Sequence, residues 1–94
     1  MKQFSGRTAV ITGAASGIGL ELARRAAAEG MNLVLADIES AKLDAAAATL
    51  NLPAERLLLQ KTDVSREDEV AALAAAAFAR FGGVHLLCNN AGVG

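Results

Sequence analysis

Four short apolar runs divide the chain, and none of them alternates strictly between apolar and polar positions. They cover residues 8–12, 32–36, 57–60 and 84–88. Continuous apolar runs of this length are typical of strands that are buried on both faces of a parallel sheet. The pattern therefore predicts four strands, of which the third is the least typical because it contains no β-branched residue.

Two helices are predicted between the first three strands. Residues 18–29 are rich in Ala, Leu, Arg and Glu, and Gly30 stands where a glycine commonly ends a helix. Residues 41–50 form the second helical segment, and Pro53 lies just beyond it. Because proline lacks a backbone N–H and disfavours a helical residue before it, this helix is expected to end ahead of Pro53.

The third helix has the most regular spacing. Ser65 is expected to cap it, with Asp68 three positions later as the capping-box partner. Apolar residues then recur at helical spacing and define a face that is expected to be buried. These residues are Val70, Leu73, Ala74, Ala77, Phe78 and Phe81, followed by Gly82 and Gly83.

The elements alternate as β-α-β-α-β-α-β, which predicts βαβ units and an α/β architecture with a parallel sheet. The crossovers are expected to be right-handed. A chain of 94 residues is expected to form one domain, residues 1–94. His85 and Cys88 fall within the fourth predicted strand and are expected to be buried structural side chains.

Composition and charge exclude several classes of protein. The net charge is −1, so the chain has no basic surplus with which to neutralise nucleic-acid phosphates. The apolar fraction of 53% disfavours disorder, and a single Cys cannot staple the chain internally. The longest apolar run, residues 70–79, is about half of the roughly 20 residues that span a membrane. We therefore expect no nucleic acid, membrane or metal partner and a cytoplasmic location.

A glycine-rich segment directly follows the first strand and opens the first helix. Gly13 permits a tight turn, Gly17 allows a close backbone approach to a pyrophosphate, and Gly19 lets the helix pack against the sheet. The helix N-terminus offers free N–H groups and a positive dipole end, and Ser16 adds a hydroxyl donor. The predicted phosphate-binding residues are Gly13, Ser16, Gly17, Ile18 and Gly19. The alternative is a turn that serves close packing alone.

Asp37 follows the second predicted strand, 18 positions after Gly19. Its carboxylate is placed to accept hydrogen bonds from the two hydroxyl groups of an adenosine ribose. The alternative is that Asp37 or Ser40 caps the next helix. A carboxylate would repel the 2′-phosphate of NADP, and neither Ile38 nor Ala15 supplies a compensating charge. The sequence therefore favours NAD over NADP.

Three motifs, taken in order, resemble those of the short-chain dehydrogenase/reductase family, and the resemblance covers essentially the whole chain. They are Thr12-Gly13-x-x-x-Gly17-x-Gly19, Asp63-Val64 after the third strand, and Asn89-Asn90-Ala91-Gly92 after the fourth. The resemblance implies a Rossmann-type doubly wound parallel sheet with strand order 3-2-1-4. It also implies that the first and third motifs meet where the strand order reverses, the usual ligand position in such sheets.

The family pattern implies cofactor contacts for the second and third motifs. Asp63 would bind the adenine amino group, and the Val64 backbone would meet the edge of the ring. Asn90 and Ala91 would lie beside the nicotinamide ribose, with Gly92 completing the motif. From the residues alone, a loop residue beside a helix cap and an ordinary turn stay open as alternatives.

The resemblance also implies an activity. In this family, hydride transfer rests on Ser, Tyr and Lys residues downstream of the Asn-Asn-Ala-Gly motif, and this chain contains no Tyr. The chain would then be the N-terminal, cofactor-binding part of an enzyme that moves a hydride between NAD and an alcohol or ketone. No catalytic residue is assigned, and the 94 residues alone are expected to be inactive.

Two alternatives to an enzyme part stay open. One is a non-catalytic NAD-binding or regulatory module, and the other is a truncated gene product without activity. If the sheet is incomplete, the fourth strand is left as an edge, which favours association with another chain. A homo-oligomer is therefore compatible with the sequence.

Overall fold

The computed structural model describes residues 6–89. In chain order, its elements are β1 (Thr8–Thr12), α1 (Gly17–Ala28), β2 (Asn32–Asp37), α2 (Ser40–Ala48), a 3₁₀ turn (Ala54–Arg56), β3 (Leu57–Lys61), α3 (Glu67–Phe81) and β4 (Leu86–Asn89). This order confirms the alternation of strands and helices that the hydrophobic pattern predicts, with ends that differ from the prediction by one or two residues.

The four strands pair in parallel in the order β3-β2-β1-β4. Within the sheet, Val10 of β1 lies between Val34 of β2 and Leu87 of β4. The chain steps from β1 outward to β3 and then returns to the other side of β1, so the direction of the crossovers reverses there. Because parallel crossovers share one hand, α1 and α2 cover one face and α3 the other. The predicted Rossmann-type doubly wound sheet is confirmed.

Each face of the sheet has its own core. On the face of α1 and α2, the buried residues are Ala9, Ile11, Ala14, Ala23, Ala26, Met31, Leu33, Leu35, Leu43 and Ala47. On the face of α3, they are Val10, Val34, Ala36, Leu73 and Ala77. Burial on both faces explains why the central strands read as continuous apolar runs.

β4 begins two residues later than the sequence predicts, and His85 lies before it. The His85 side chain is exposed, and its Nδ1 accepts a 3.0 Å hydrogen bond from the backbone N–H of Thr8. The His85 backbone N–H donates in turn to the Thr8 carbonyl at 2.9 Å. The prediction of a buried histidine is therefore wrong. Within residues 6–89, β4 is an edge strand that pairs with β1 alone, so the chain around His85 has a neighbouring strand on one side only. Cys88 is partly buried against the core under α1.

α3 begins at Glu67, with Arg66 at the N-cap position and no side-chain cap. The Ser65 backbone N–H and hydroxyl both donate to Asp63 Oδ1, at 3.0 and 2.6 Å. The predicted capping box of Ser65 and Asp68 is therefore wrong. A charged acceptor two residues upstream holds Ser65 in the turn that precedes the helix.

Only part of the predicted apolar face of α3 is buried. Leu73 and Ala77 are buried, and Phe81 packs beside them. The other members of the face, Val70, Ala74 and Phe78, are exposed. Each residue advances about 100° around a helix axis. The stripe that meets the sheet is therefore narrower than the apolar face in the sequence.

Candidate functional site

The carboxyl ends of the strands carry polar groups along one edge of the sheet. Thr12 ends β1, Asp37 ends β2 and Asn89 ends β4, while Asp63 follows β3 by two residues. In open parallel sheets, ligands bind at this edge, close to the point where the strand order reverses. The sheet topology places that point between β1 and β4.

The turn after β1 is tied to its surroundings at several atoms. Gly13 adopts a φ of 64°, a left-handed conformation that favours glycine. The Ala14 N–H donates to the Ala36 carbonyl at 3.0 Å, which joins the turn to β2. The Ser16 hydroxyl donates to the Gly13 carbonyl at 2.7 Å and accepts from the Gly19 N–H at 3.1 Å. Ser16 is therefore the N-cap of α1 and fixes the turn that leads into it.

Gly19 and Gly17 meet different surroundings. A Cβ added at Gly19 would lie 2.2 Å from the Gly13 carbonyl oxygen and 2.9 Å from the Ala14 Cα. A Cβ added at Gly17 would have no atom within 4 Å apart from its chain neighbours. Gly19 is required by packing, whereas Gly17 and the exposed Ile18 lie open at the start of α1. The first N–H groups of a helix lack intrahelical partners and favour an anion there.

The Asp37 carboxylate links the end of β2 to the glycine turn, the segment of residues 13–19 that follows β1 and enters α1. Its Oδ2 accepts a 3.0 Å hydrogen bond from the Ala15 N–H, and its Oδ1 accepts one of 3.1 Å from the Glu39 N–H. The N-cap of α2 is Glu39, without a side-chain cap, and Ser40 is already helical. Neither Asp37 nor Ser40 therefore occupies the N-cap position that the alternative interpretation gives them.

Asp63 lies in the turn between β3 and α3, half-buried beside Val64. The hydrogen bond from the Ser65 hydroxyl, followed by that from the Ser65 N–H, lowers the pKa of Asp63 below its ordinary value. The nearby Arg66 guanidinium contributes a smaller effect in the same direction. Asp63 is therefore a carboxylate at neutral pH.

Glu69 is a residue of this edge that sequence reasoning missed. Its Oε1 accepts a 2.7 Å hydrogen bond from the Asp63 N–H, and its Oε2 lies 3.4 Å from Arg66 Nε. From the sequence, Glu69 is expected only to complement the helix dipole, as part of a charged first turn. The usable signal is the position of Glu69, third in the helix, from which a Glu side chain reaches back over the helix start.

Thr12 and Asn89 join the ends of β1 and β4. The Thr12 Oγ1 donates to the Asn89 Oδ1 at 2.7 Å, and the two residues are paired in the sheet register. Asn89 is the first residue of the third motif. The other three residues, Asn90, Ala91 and Gly92, lie outside the described residues.

Other features of the described chain lie away from this edge. No group of three or more His, Cys, Asp or Glu side chains within residues 6–89 is placed to hold a metal ion. Over the same residues, every helix is too short or too polar to cross a membrane. An apolar cavity of about 390 Å³ lies between α1 and β4, lined in part by Leu22, Met31 and Leu86. Since Met31 precedes β2 and Leu86 begins β4, part of its lining belongs to the opposite end of the strands.

The fold and the polar strand ends define an α/β protein of the doubly wound class, which places ligands at the carboxyl edge of its sheet. The family model for short chain dehydrogenases matches residues 7–94, and the chain belongs to that family. The resemblance carried by the three motifs is thereby confirmed.

Named relatives agree with this family. A 1-deoxy-11-beta-hydroxypentalenate dehydrogenase from Streptomyces arenae is 46% identical over 87 residues, covering 93% of this chain and 31% of that protein. A short chain dehydrogenase/reductase from Burkholderia phymatum, solved in complex with NAD, is 46% identical with a TM-score of 0.85, covering 93% of this chain and 31% of that one. The C-domain of a bacterial malonyl-CoA reductase, solved with NADP, is 27% identical with a TM-score of 0.86. The match covers 98% of this chain and 16% of that one. The chain spans 31% to 36% of the length of the first curated relatives.

Proposed function

We propose that this chain is the cofactor-binding part of an oxidoreductase that uses NAD, with residues 1–94 belonging to a single domain. The observation that supports the proposal is the joint placement of the glycine turn and the Asp37 carboxylate at the carboxyl edge of the sheet. A helix N-terminus attracts a diphosphate, and a carboxylate at the end of the neighbouring strand accepts from a ribose diol. The two groups match the two halves of an adenosine diphosphate.

The diphosphate is proposed to bind at the start of α1. The N–H groups of Gly17 and Ile18 would donate to it, because these two residues are exposed there. The turn itself would be shaped by Gly13, Ser16 and Gly19, because the Ser16 hydroxyl donates to the Gly13 carbonyl and accepts from the Gly19 N–H. In this proposal, the Ser16 side chain contributes by holding the turn.

The adenosine is proposed to lie across the ends of β2 and β3. Asp37 would accept from the ribose hydroxyls, since each carboxylate oxygen keeps a second lone pair beside its backbone contact. Ser65 occupies Asp63 Oδ1, so Asp63 Oδ2 is proposed for the adenine amino group. The Val64 backbone would meet the edge of the same ring.

The nicotinamide end is proposed from the family motif alone. Asn90, Ala91 and Gly92 would lie beside the nicotinamide ribose. In the complete enzyme, bound NAD would accept a hydride from an alcohol, or bound NADH would deliver one to a ketone. Because the family's Ser, Tyr and Lys do not fall on positions of this chain, we assign no catalytic residue within it.

The preference for NAD over NADP is proposed from charge. A 2′-phosphate on the adenosine ribose would meet the Asp37 carboxylate at short range. The neighbouring Ile38 is exposed and uncharged, and the Arg24 side chain on α1 is paired with Glu21 at 3.4 Å. The first positive charge after β2 in the sequence is Lys42 on α2, which is paired with Glu39 at 3.3 Å.

The test is a titration of NADH and NADPH, followed by nicotinamide fluorescence, against the protein expressed from its complete reading frame. We expect NADH to bind at least about tenfold more tightly, which corresponds to roughly 1.4 kcal/mol. Equal affinities would refute the preference for NAD, and the absence of binding to either cofactor would refute the proposed function.

A non-catalytic NAD-binding module is the second candidate, because the residues proposed above bind a cofactor and none of them is assigned a catalytic role. Turnover distinguishes the two candidates. An enzyme part yields NADH from NAD in the presence of an alcohol once the complete protein is used, whereas a binding module does not. A cytoplasmic location and a homo-oligomer stay predictions.

A further inference from the structure

The hydrogen bond between the Ala15 N–H and Asp37 Oδ2 joins two parts of the proposed site that are 22 residues apart in sequence. Ala15 lies in the middle of the glycine turn, and Asp37 is the last residue of β2. The neighbouring Ala14 N–H is bound to the Ala36 carbonyl, so two successive amides of the turn are held by the end of β2. The second of them is held by a side chain.

The Asp37 carboxylate is itself fixed in place. Its other oxygen accepts from the Glu39 N–H at 3.1 Å, so both oxygens have backbone donors. A hydrogen bond from an N–H to a charged carboxylate is stronger than one to a neutral acceptor. The carboxylate therefore holds the turn in place just ahead of Gly17 and Ile18, which are exposed at the start of α1.

We propose that Asp37 is a positioning residue for the diphosphate as well as the contact for the ribose. The inference rests on the proposed function, since it assumes that the turn receives a diphosphate. Its consequence is specific: loss of the Asp37 carboxylate weakens the binding of a diphosphate that carries no ribose at all. A residue that served only the ribose would leave that affinity unchanged.

In Asp37→Asn, the loss of charge and the loss of positioning are expected to change the affinity for diphosphate in opposite directions. Asp37→Asn removes a negative charge close to the turn, and this change by itself would strengthen the binding of an anion. The amide offers one oxygen where the carboxylate offers two, and its NH₂ group would face a backbone donor. Positioning therefore predicts weaker diphosphate binding, the opposite of the electrostatic effect.

Glu39→Gln is the matched control. It removes an equal charge two residues away, from a side chain that pairs with the exposed Lys42 at 3.3 Å. The backbone N–H that Glu39 donates to Asp37 is unchanged by the substitution. Any effect of charge alone appears in both variants.

The experiment uses the protein from its complete reading frame, with inorganic pyrophosphate and NADH as probes. Affinity for pyrophosphate is followed through the amide NMR signals of Gly17 and Gly19, and hydrogen exchange of the Ala15 amide is measured without ligand. For Asp37→Asn, we expect pyrophosphate affinity to fall about fivefold and Ala15 exchange to rise about tenfold, as the loss of one hydrogen bond implies. For Glu39→Gln, we expect neither to fall or rise by more than about twofold.

A second variant protects the test against misfolding of Asp37→Asn. Replacing Ala15 by lactic acid through nonsense suppression exchanges its N–H for an ester oxygen and leaves Asp37 intact. This variant is also expected to lose pyrophosphate affinity.

The outcomes separate the two proposals. If the unmodified protein binds NADH but Asp37→Asn keeps its pyrophosphate affinity or its slow Ala15 exchange, the positioning role is overturned and the proposed function stands. The positioning role is likewise overturned if the ester variant binds pyrophosphate normally. If the unmodified protein binds neither probe, the proposed function fails, and the positioning role fails with it.

Discussion

The Thr12 hydroxyl donates a 2.7 Å hydrogen bond to the Asn89 side-chain oxygen, which ties β1 to β4 where both strands end. The two residues also face each other in the sheet register. Thr12 is buried, so its hydroxyl has little access to water as an alternative partner. The bond therefore fixes the first residue of the Asn-Asn-Ala-Gly motif relative to the glycine turn, which starts one residue after Thr12.

The first prediction concerns this bond. Thr12→Val keeps the shape of the side chain but removes the hydroxyl, and we expect the free energy of unfolding to fall by about 1 kcal/mol. Urea denaturation measures this change. Thr12→Ser keeps the hydroxyl and serves as the control for the bond.

A double-mutant cycle with Asn89→Ala isolates the pair. We expect a coupling energy between Thr12 and Asn89 of about 1 kcal/mol, as is found for residues in direct contact. Additive effects of the two substitutions would show that the hydrogen bond does not stabilise the junction of β1 and β4.

The second prediction separates two glycines that the motif treats alike. Gly19→Ala forces a methyl group to within 2.2 Å of the Gly13 carbonyl, so we expect the protein to lose about 1–3 kcal/mol of stability. Gly17→Ala has open space around it, so we expect a change in stability within about 1 kcal/mol. The NADH affinity of Gly17→Ala should nevertheless fall, because its methyl group lies where the diphosphate is proposed to approach.

Thermal unfolding and NADH titration of both variants check this second prediction. We expect Gly19→Ala to lose stability and Gly17→Ala to lose NADH affinity while it keeps its stability. If Gly19→Ala were as stable as the unmodified protein, the close packing of α1 on the turn would be wrong. If Gly17→Ala bound NADH normally, the diphosphate would not lie at the start of α1.

Features that depend on a few neighbouring residues could be predicted from the sequence. The tight turn expected at Gly13 has a left-handed φ of 64°. The close packing expected at Gly19 is present, but the nearest atoms belong to Gly13 and Ala14 of the turn, where the prediction named the sheet. The spacing of the glycines within residues 13–19 is therefore enough to predict a tight turn followed by a closely packed helix. The strand order is implied by the family resemblance, which the parallel pairing of β1 with both neighbours confirms.

Features decided by competition or by distant packing could not be predicted. Ser65 has two local partners, the start of α3 and the Asp63 carboxylate, and a charged acceptor is favoured over a backbone group. The exposure of His85 and Phe78 depends on which elements pack against β4 and α3. The apolar pattern of a helix or strand does not show how much of its surface other elements cover.

The third prediction concerns the titration of Asp63. Because the Ser65 hydroxyl is the largest cause of the lowered pKa of Asp63, Ser65→Ala should move that pKa back toward its ordinary value. Arg66→Gln removes a smaller cause and should move the pKa of Asp63 less. NMR titration of the Asp63 carboxyl carbon measures both shifts, and a larger shift in Arg66→Gln would contradict the assignment.

The lowered pKa of Asp63 also sets a direction for stability. A carboxyl whose pKa is lower in the folded state stabilises the fold above its unfolded pKa of about 3.9. This contribution is lost as the pH falls through the lower pKa of the folded state. The stability difference between the unmodified protein and Ser65→Ala should therefore be larger at pH 6 than at pH 2. Urea denaturation at the two pH values tests it, and a difference that grows on acidification would refute it.

The last prediction concerns Glu69, which holds the loop that carries Asp63. Glu69→Ala removes the acceptor of the 2.7 Å bond from the Asp63 N–H, so we expect about 1 kcal/mol less stability and weaker binding of AMP. Glu69→Gln keeps an acceptor oxygen and should restore most of the AMP affinity. Glu67→Ala removes an exposed carboxylate from the same helical turn and should change AMP affinity little. Calorimetric titration with AMP compares the three variants. If Glu69→Ala and Glu67→Ala behaved alike, Glu69 would act only as a charge near the helix start, and the Asp63 loop would keep its shape without it.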